Sequence, residues 1–476
     1  MTWQTVIGLE IHAQLKTASK LFSSADSSYG ASPNSHTSFI DAGLPGVLPV
    51  LNHKAINMAI QFGLAINAEI NDLSYFERKN YFYPDLPKGY QISQFQRPIV
   101  SNGEIEIYVE NKIKKIIIER AHLEEDAGKS IHDMHELYTA IDLNRAGTPL
   151  LEIVTTPCMY SAAEAIAYLK TIHQLVRFLD ICDGNMQEGS FRCDVNLSLR
   201  KKGVEKLGTR TELKNLNSFR FIEKAIAYEQ NRHQDLLESG QNVTQETRLY
   251  CPNTDRTEVL RSKENENDYR YFPDPDLLPI KISSSLLKEI KESMPELPAE
   301  IIKRLEFEDK ISFDDIEFLL SSPIIIKFYD KVKSLSHADA KTIVNWLKGT
   351  YSAALNAASL SFDQAPVPEI YLAELLNKLT DNKITSNIAK SIFAKLMIKL
   401  QPIDELMNSS GFDKQIDNNL LEDIIKEIVK NNPKQVEDFR SGKEKIFSFF
   451  VGLVMKQTKG SADPARVNTL LREYLK

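Results

Sequence analysis

Residues Val6–Leu15 read VIGLEIHAQL and determine how the first half of this chain folds. Every second residue is apolar, and these residues belong to one face of an extended strand: Ile7, Leu9, Ile11, Ala13 and Leu15. Because successive side chains of a strand point to opposite faces, the pattern predicts a β-strand with one buried and one polar face. Glu10 and His12 share the polar face. A carboxylate beside an imidazole occurs both at solvated sheet edges and at metal sites, and this stretch is compatible with either.

The same alternation recurs in Phe191–Ser198 and in Arg210–Lys214. The polar positions are Arg192, Asp194, Asn196 and Ser198 in the first stretch and Arg210, Glu212 and Lys214 in the second. Three strands with mixed charges on one face suggest a sheet whose open face binds a phosphorylated ligand. An antiparallel sheet with one face in water produces the same pattern, so both interpretations remain open.

Three consecutive acids, Glu124, Glu125 and Asp126, follow the apolar run Ile116–Ile118. Adjacent carboxylates repel each other unless a cation lies between them. Oxygen ligands favour Mg²⁺, whereas the imidazole of His12 would also suit Mn²⁺ or Zn²⁺. A charged loop is the alternative interpretation of these acids.

No standard nucleotide-binding motif accompanies the acids. Gly128-Lys129-Ser130 is similar to the end of a phosphate loop, but that motif requires glycine at the position of Leu123. The segment Phe76–Gln91 combines basic residues, aromatic residues and turn formers. It predicts a loop that either stacks on a base while its cations hold phosphate, or is packed by its own tyrosines.

The chain changes character near residue 280. Of its 19 glycines 14 lie in residues 1–280, in short alternating stretches separated by turn formers. Beyond them, apolar residues recur every three or four positions, which is typical of helices. These patterns predict an α+β protein with a mainly antiparallel β-sheet cradle domain over residues 1–285, an all-α middle domain over 286–410 and an all-α tail domain over 411–476.

Two helices of the second half can be predicted from individual residues. Ser322 followed by Pro323 predicts a helix over Ile324–Leu335, because proline is favoured in the first turn of a helix. Ala338–Leu347 is predicted to be a helix that buries Trp346.

Composition excludes several classes of protein. With 42% hydrophobic and 26% charged residues, the chain is neither disordered nor collagen-like, and its apolar runs are too short to span a membrane. No basic residue precedes Lys16, which argues against an export signal and favours a cytoplasmic protein. The four cysteines form no C-x-x-C pair, so their spacing supports neither a zinc knuckle nor a redox motif.

The net charge of −7 requires any contact with RNA to be local. Ser441–Lys476 contains seven Lys/Arg against three Asp/Glu and is one such basic patch. A solvated helical face is the alternative interpretation.

Long motifs along the whole chain carry a resemblance to a known family. They are IGLEIHAQL from Ile7, GLPGVLPVLN from Gly43, RKNYFYPDLPKGYQISQF from Arg78, HLEEDAGKS from His122, RAGTPLLEIVT from Arg145, EGSFRCDVNLS from Glu188, RTELKNLNSF from Arg210, DYRYFPDPDL from Asp268 and VGLVMKQTKGSADP from Val451. With these motifs the chain resembles the B subunits of the tRNA-dependent Asp/Glu amidotransferases of the bacterial heterotrimeric type.

The resemblance implies a kinase-like cradle domain, a helical middle and a helical tail that contacts tRNA. The cradle uses ATP and Mg²⁺ to phosphorylate the side-chain carboxylate of mischarged Glu-tRNA(Gln), Asp-tRNA(Asn) or both. Ammonia from a separate glutaminase, the A subunit, then displaces phosphate and leaves Gln-tRNA(Gln) or Asn-tRNA(Asn). The small C subunit joins the two large ones.

Charge type and shared strand faces suggest which residues carry this chemistry. The expected Mg²⁺ ligands are Glu10, His12, Glu124, Glu125 and Asp194. The expected ATP and substrate site comprises Lys79, Arg192 and Lys214, which neutralise phosphates, with Ser190 and Glu212 nearby and Tyr81, Tyr83 and Lys88 around the aminoacyl end. The residues expected to be catalytic are Glu10, His12, Lys79, Glu125 and Asp194. In the tail, the expected tRNA contacts are Lys456, Lys459 and Arg466.

One departure from the family concerns zinc. Many members carry a zinc site formed by a C-x-C and a C-P-x-C near the N-terminus. The corresponding residues here are Ser23, Ala25, Ser38 and Asp41. We therefore expect no zinc, and a loop held by packing or hydrogen bonds.

Two other functions compete with this one. A self-sufficient ATP-dependent amide ligase would need its own amidohydrolase, but the sequence contains no Gly/Ser-rich amidase stretch and no cysteine in a G-x-C-x-G setting. A non-catalytic tRNA-binding scaffold would not need charged residues on the polar strand faces. ATP turnover that depends on mischarged tRNA separates the three functions.

Overall fold

The computed structural model describes residues 2–475 except 111, 133, 135, 263–268, 410–417, 459–461 and 463. The chain divides into two units, Met1–Pro298 and Ala299–Lys476. The domain boundaries predicted from the sequence, at 285/286 and 410/411, stay predictions, and the second of them falls outside the described residues.

In its described residues, the first unit contains the strands and four helices. The strands are β1 Trp3–Gln14, β2 Glu69–Ile70, β3 Leu73–Ser74, β4 Glu77–Asn80, β5 Tyr90–Ser93, β6 Val100–Val109, β7 Lys112–Glu125, β8 Lys129–Ile131, β9 Ala140–Asp142, β10 Pro149–Thr155, β11 Phe191–Lys201, β12 Thr211–Lys214, β13 Glu246–Cys251, β14 Arg256–Ser262, β15 Phe272–Pro273 and β16 Ile280–Lys281. The helices are α1 His53–Ala65, α2 Ala162–Phe178, α3 Phe219–Glu238 and α4 Ser284–Glu292.

Strand β1 lies at the centre of the main sheet. Within the described residues this sheet has nine strands in the order β14-β13-β12-β11-β1-β10-β7-β6-β2. All neighbours pair antiparallel except β12 and β13, which are parallel. The predicted sheet-rich first part and helical remainder are confirmed.

The alternation in the sequence decides which face of the sheet is covered. The apolar residues of β1 and the leucine after it are each at most 3% exposed: Ile7, Leu9, Ile11, Ala13 and Leu15. They share one hydrophobic core with β11 and with residues of α1, α2 and α3. Serines that accept a backbone N–H start two of these helices, Ser161 at α2 and Ser218 at α3. The helices therefore cover the apolar face and leave the polar face of β1 and β11 to line a cavity.

The second unit is helical in its described residues. Its helices are α5 Pro298–Phe307, α6 Phe313–Leu319, α7 Pro323–Leu335, α8 Ala340–Asn345, α9 Ser352–Ala357, α10 Glu369–Thr380, α11 Ser386–Ile398, α12 Ile403–Ser409, α13 Asn418–Asn431, α14 Pro433–Arg440, α15 Phe447–Gln457 and α16 Pro464–Leu475. None of the described helices is long and apolar enough to cross a membrane.

The two helices predicted from single residues are present, with one difference. Helix α7 starts at Pro323, and the side chain of Ser322 accepts the N–H of Ile324, as expected for a cap. The helix predicted over Ala338–Leu347 is shorter, because Asp339 caps α8 at Ala340 and the chain continues from Trp346 as a π-helical turn. Trp346 is buried as predicted.

Helices α13 to α16 share a hydrophobic core of their own. The buried residues are Leu421, Ile425, Ile428, Val436, Phe450, Val454, Ala462, Val467, Leu470, Leu471 and Leu475. This core shows that apolar side chains of the tail pack on one another.

A buried ion pair holds the loop that contains Ser23, Ala25, Ser38 and Asp41. Lys20 Nζ lies 3.1 Å from Asp41 Oδ2, and both side chains are almost fully buried. Ser23 Oγ donates to the same carboxylate at 3.0 Å, and the backbone N–H of Ser38 donates to it at 2.8 Å. A cation and two further donors therefore satisfy Asp41 within the protein.

We expect purified protein to contain no stoichiometric zinc. Zinc in structural sites prefers thiolate and imidazole ligands. Here one carboxylate, already paired with Lys20, is surrounded by hydroxyl and amide groups. The measurement is elemental analysis after dialysis with and without a chelator. One zinc per chain that survives the chelator would contradict this expectation.

Candidate active site

The polar face of the sheet forms the floor of a cavity of about 1110 Å³. Side chains from five adjacent strands line it: Glu10 and His12 of β1, His122 and Glu124 of β7, Glu152 of β10, Asp194 and Asn196 of β11, and Glu212 and Lys214 of β12. The strand register explains the grouping, because Glu10 pairs with Asp194 while His12 pairs with Glu152. Among the described residues, two groups of three side chains bring ligand atoms within 4.8 Å of one another.

The first group, which we call the histidine cluster, consists of His12, Glu124 and Glu152. His12 Nε2 lies 3.7 Å from Glu124 Oε1 and 3.6 Å from Glu152 Oε2. A second imidazole, His122, approaches Glu152 Oε2 to 3.3 Å. Glu152 therefore lies between two histidines.

Burial and charge perturb the titration of the histidine cluster. Burial lowers the pKa of His12, but its hydrogen bond to Glu152 and the charges of Glu152 and Glu124 raise that pKa to about 9. Burial and the charge of Glu152 raise the pKa of Glu124. The two histidines outweigh burial at Glu152 and hold the pKa of its carboxyl well below its usual range. Positive charge is thus favoured in this part of the cavity.

The second group, which we call the carboxylate cluster, consists of Glu10, Asp194 and Glu212. Burial, followed by repulsion from neighbouring carboxylates, raises the pKa of Glu10. Lys214 Nζ lies 2.5 Å from Asp194 Oδ2 and 3.3 Å from Glu212 Oε1. Although burial opposes its charge, these carboxylates raise the pKa of Lys214. One lysine thus neutralises part of a cluster of three acids.

Aromatic side chains line the cavity around Lys79. The ammonium of Lys79 lies 5.0 Å from the ring centre of Tyr269 and 5.9 Å from that of Tyr81. Tyr271 stacks on Phe95 with ring centres 4.4 Å apart. Although burial opposes its charge, the hydroxyl of Tyr271 and nearby carboxylates raise the pKa of Lys79. Lys79 therefore carries a charge inside an aromatic enclosure.

Strand β4 holds in place the segment that carries Tyr269 and Tyr271. The side-chain amide of Asn80 donates to the carbonyls of Tyr269 and Arg270 at 3.1 and 2.9 Å. Arg78 Nε donates to the buried Asp274 at 2.8 Å. These contacts join residues almost 200 positions apart and place Tyr269 at the cavity.

Comparison with known proteins shows which family the part of the chain around this cavity belongs to. The family model described as the GatB/GatE catalytic domain matches residues 5–288, which include every residue of both clusters. The chain belongs to the GatB/GatE family. A second family model, described as the GatB domain, matches residues 327–475. The resemblance inferred from the motifs is confirmed.

Relatives in this family match the chain over its full length. A Legionella pneumophila (strain Lens) protein, named as the B subunit of an aspartyl/glutamyl-tRNA(Asn/Gln) amidotransferase, is 63% identical, with 100% of both chains covered. Proteins of the same name from Thioalkalivibrio sulfidiphilus (strain HL-EbGR7) and Coxiella burnetii (strain CbuG_Q212) are 53% and 50% identical, again with 100% of both chains covered.

Nine of the residues that the sequence analysis suggested for the metal, ATP and substrate site of this chain come together in the cavity. Those that line it are Glu10, His12, Lys79, Tyr81, Glu124, Arg192, Asp194, Glu212 and Lys214. Arg192 reaches it beside Asp126, whose Oδ2 lies 3.1 Å from Arg192 Nη2. The charge of Asp126 raises the pKa of Arg192.

Glu125 lies apart from both clusters. The sequence suggested a row of acids around one cation, but Glu124 and Glu125 end strand β7, where neighbouring side chains point to opposite faces. Glu125 Oε1 accepts the N–H of Ile92 at 2.9 Å and forms an ion pair with Lys88. The interpretation as a charged loop is wrong for Glu124 and Glu125, because both belong to the strand. The metal-binding and catalytic roles suggested for Glu125 stay predictions.

Three other suggested residues do not line the cavity. Lys88 lines a smaller cavity of about 220 Å³ instead. Tyr83 is 53% exposed and contacts Tyr81 edge to face. Ser190 hydrogen-bonds to Asp183 and Asn185. Their suggested roles stay predictions.

Glu152 was not predicted from the sequence, although one signal was present. It is the single charged residue of strand β10, PLLEIVT, and a lone acid in an apolar strand needs a partner. Its partners, His12 and His122, come from strands on either side, and only the register reveals them.

The residues of both clusters fit a divalent cation. Their donor atoms are carboxylate oxygens, which suit Mg²⁺ and Mn²⁺, and in the histidine cluster an imidazole nitrogen, which also suits Mn²⁺ or Zn²⁺. The raised pKa values of Glu10 and Glu124 reflect burial together with repulsion that a cation would relieve. In addition, the buried Oδ1 of Asn196 has no hydrogen-bond partner in the part of the chain that the structure describes, while its Nδ2 donates to Glu10 Oε1 at 2.7 Å. This oxygen is a further neutral donor beside the carboxylate cluster.

Proposed function

We propose that this chain is the B subunit of a tRNA-dependent amidotransferase and that its cavity activates a mischarged aminoacyl-tRNA. The substrates are Glu-tRNA(Gln), Asp-tRNA(Asn) or both, in keeping with the names of the full-length relatives. The observation that carries the proposal is the presence in one cavity of two acidic clusters and the cations Lys79, Arg192 and Lys214.

The chemistry requires activation because a carboxylate is a poor acyl donor. An oxygen of the substrate's side-chain carboxylate attacks the γ-phosphorus of ATP, and the bond to the β-phosphate oxygen breaks to release ADP. Ammonia then attacks the carbonyl carbon of the acyl phosphate, phosphate leaves, and loss of a proton gives the amide. Both steps build up negative charge on phosphoryl oxygens.

The residues of the cavity are arranged to manage this charge. The histidine cluster and the carboxylate cluster would hold Mg²⁺, which when bound supplies positive charge to the phosphate groups of ATP. Although burial opposes the charge, Lys79 and Lys214 keep their ammonium groups charged inside the cavity, because neighbouring carboxylates raise the pKa of both and the phenols of Tyr271 and Tyr81 also raise that of Lys79. Phosphoryl transfer depends mainly on such positioning and neutralisation, so no covalent step on the protein is needed.

The aromatic enclosure serves the nucleic-acid end of the substrate. Tyr81, Tyr269 and Tyr271 present rings to the cavity next to Lys79. Rings beside a cation suit an unstacked base with its phosphate. Tyr83 and Lys88 are proposed to lie further along the path of the aminoacyl end.

The chain depends on partners for ammonia. No amidase-like stretch or glutaminase nucleophile is visible in the sequence. The glutaminase, which is the A subunit, therefore supplies ammonia, and the small C subunit joins the two large ones.

We expect ATP cleavage by the assembled complex to require mischarged tRNA, and the isolated chain to release no ammonia from glutamine. The measurements are ADP formation with Glu-tRNA(Gln), Asp-tRNA(Asn), correctly charged tRNA or no tRNA, and ammonia formation by the chain alone. The correctly charged tRNAs used as the control are Gln-tRNA(Gln) and Asn-tRNA(Asn), because their side chains already carry the amide and lack a free carboxylate. ATP cleavage that is indifferent to mischarged tRNA, or glutamine hydrolysis by the single chain, would contradict the proposal.

A further inference from the structure

Thr247 contacts the carboxylate cluster from the neighbouring strand. Strands β12 and β13 are the one parallel pair of the main sheet as described, and their register places Glu212 beside Thr247. Thr247 is only 1% exposed. Its Oγ1 donates a hydrogen bond to Glu212 Oε2 at 2.8 Å. A buried hydroxyl thus fixes one oxygen of a proposed metal ligand.

The other oxygen of Glu212 has a different kind of partner. Lys214 Nζ lies 3.3 Å from Glu212 Oε1 and 2.5 Å from Asp194 Oδ2. An ammonium group competes with a metal ion for these oxygens, since both are cations. A neutral hydroxyl does not compete in this way, because it orients the carboxylate without cancelling its charge. Thr247 would therefore keep its bond to Oε2 if a metal ion took the place of Lys214 beside Glu212.

The strand that carries Thr247 is anchored on its opposite face. The next residue, Arg248, donates to Thr257 Oγ1 at 2.8 Å and to the Thr257 carbonyl at 2.8 Å. Arg248 Nε also lies 3.1 Å from the fully buried Glu229 of helix α3. Because successive side chains alternate, this network holds β13 from behind while Thr247 faces the cavity.

We propose that Thr247 is a positioning residue for Glu212 and sets the affinity of the carboxylate cluster for a divalent cation. This inference rests on the proposed function, which assigns that cluster to Mg²⁺. Residues that orient a metal ligand through hydrogen bonds contribute about 10–100-fold to metal affinity. The hydroxyl, rather than the shape of the threonine side chain, carries the effect.

The test compares Thr247→Val with Thr247→Ser in the assembled complex. Valine keeps the branched shape that suits a buried strand but removes the hydroxyl, whereas serine keeps the hydroxyl. Mn²⁺ serves as the probe, with free ion measured by electron paramagnetic resonance. All proteins carry Glu152→Gln to weaken the histidine cluster. We expect Thr247→Val to weaken the affinity for Mn²⁺ by about 10–100-fold relative to the protein with Thr247 intact, and Thr247→Ser to keep most of that affinity.

Thr211→Val is the matched control. Thr211 is a fully buried threonine next to Glu212, but its Oγ1 bonds His233 Nε2 at 2.7 Å on the opposite face of the sheet. This variant loses a buried hydroxyl as well, so thermal unfolding should shift while Mn²⁺ affinity stays at the reference value. If Thr247→Val does not fold, Thr247→Ala takes its place with the same expectation.

A further variant, Glu212→Gln, separates failure of this inference from failure of the proposed function. Mn²⁺ affinity that Glu212→Gln leaves unchanged would remove the carboxylate cluster from the proposed function, and the inference with it. Weak binding in Glu212→Gln with reference affinity in Thr247→Val would overturn the role of Thr247 alone. Equal weakening in Thr247→Val and Thr247→Ser, or in Thr211→Val, would show a general structural effect and overturn it as well.

Discussion

Replacing Glu152 by glutamine is expected to lower tRNA-dependent ATP cleavage by about 10²–10³-fold. Glu152 approaches both histidines more closely than Glu124 does, at 3.6 Å from His12 and 3.3 Å from His122 against 3.7 and 3.9 Å. The change removes its negative charge but keeps the size and the hydrogen-bonding atoms of the side chain. A cation would then face one carboxylate fewer, and phosphoryl transfer depends on that charge. The measurement is kcat/KM for ADP formation with mischarged tRNA, and His12→Ala should give a loss of similar size.

Glu229→Gln is the control for the loss of any buried carboxylate. Burial raises the pKa of Glu229, but hydrogen bonds from His233, Arg232 and Thr257 prevail and lower it to about 2. A carboxyl whose pKa is lowered by folding stabilises the fold at every pH above its unfolded value, which includes neutral pH. Glu229→Gln should therefore lower the Tm, and because Glu229 supports β13 only from behind the sheet, it should lower ATP cleavage far less than Glu152→Gln does. Activity retained in Glu152→Gln, or lost equally in both variants, would refute the assignment of the histidine cluster.

Alternation in the sequence was sufficient to predict one half of this site. A strand has period two, so the apolar positions of Val6–Leu15 determined that Glu10 and His12 face the same side. The same reasoning placed Arg192 and Asp194 together on β11. These predictions needed only the local pattern and the tendency of the apolar face to be buried.

The other half of the site depends on which strands are neighbours, and local patterns do not contain that information. Glu152 lies 140 residues after His12 in the sequence, and the two meet because β10 pairs with β1 in the register that places them side by side. The row Glu124-Glu125-Asp126 suggested one shared cation, yet the pleat of β7 separates Glu124 from Glu125. The expectation that neighbouring acids share one cation therefore fails within a strand, because the side chains of adjacent residues point to opposite faces.

Deleting residues from 411 onward is expected to weaken tRNA binding by about tenfold or more at low salt and to flatten its salt dependence. The molecule carries a net charge of −7, so attraction to tRNA must come from a local patch, and Ser441–Lys476 has seven basic against three acidic residues. Of the residues suggested for this contact, Lys456 and Arg466 are exposed, and Lys459 lies outside the described residues. Helices α13 to α16 bury one another's apolar side chains, so the deletion removes a hydrophobic cluster as a whole.

Point variants sharpen this test, because removing one phosphate-binding side chain should reduce the salt slope by about one unit. The measurement is tRNA affinity of the complex at two salt concentrations for the full chain, the truncated chain, Lys456→Ala with Arg466→Ala, and Lys426→Ala. Lys426 is the matched control, since its ammonium lies 3.8 Å from both Glu422 and Asp423 within the same group of helices. Metal binding in the first unit should persist after truncation, because both clusters lie within residues 10–212. Equal affinity and equal slope for the full and truncated chains would show that tRNA is bound elsewhere, and the basic residues of the tail would then be only a solvated helical face.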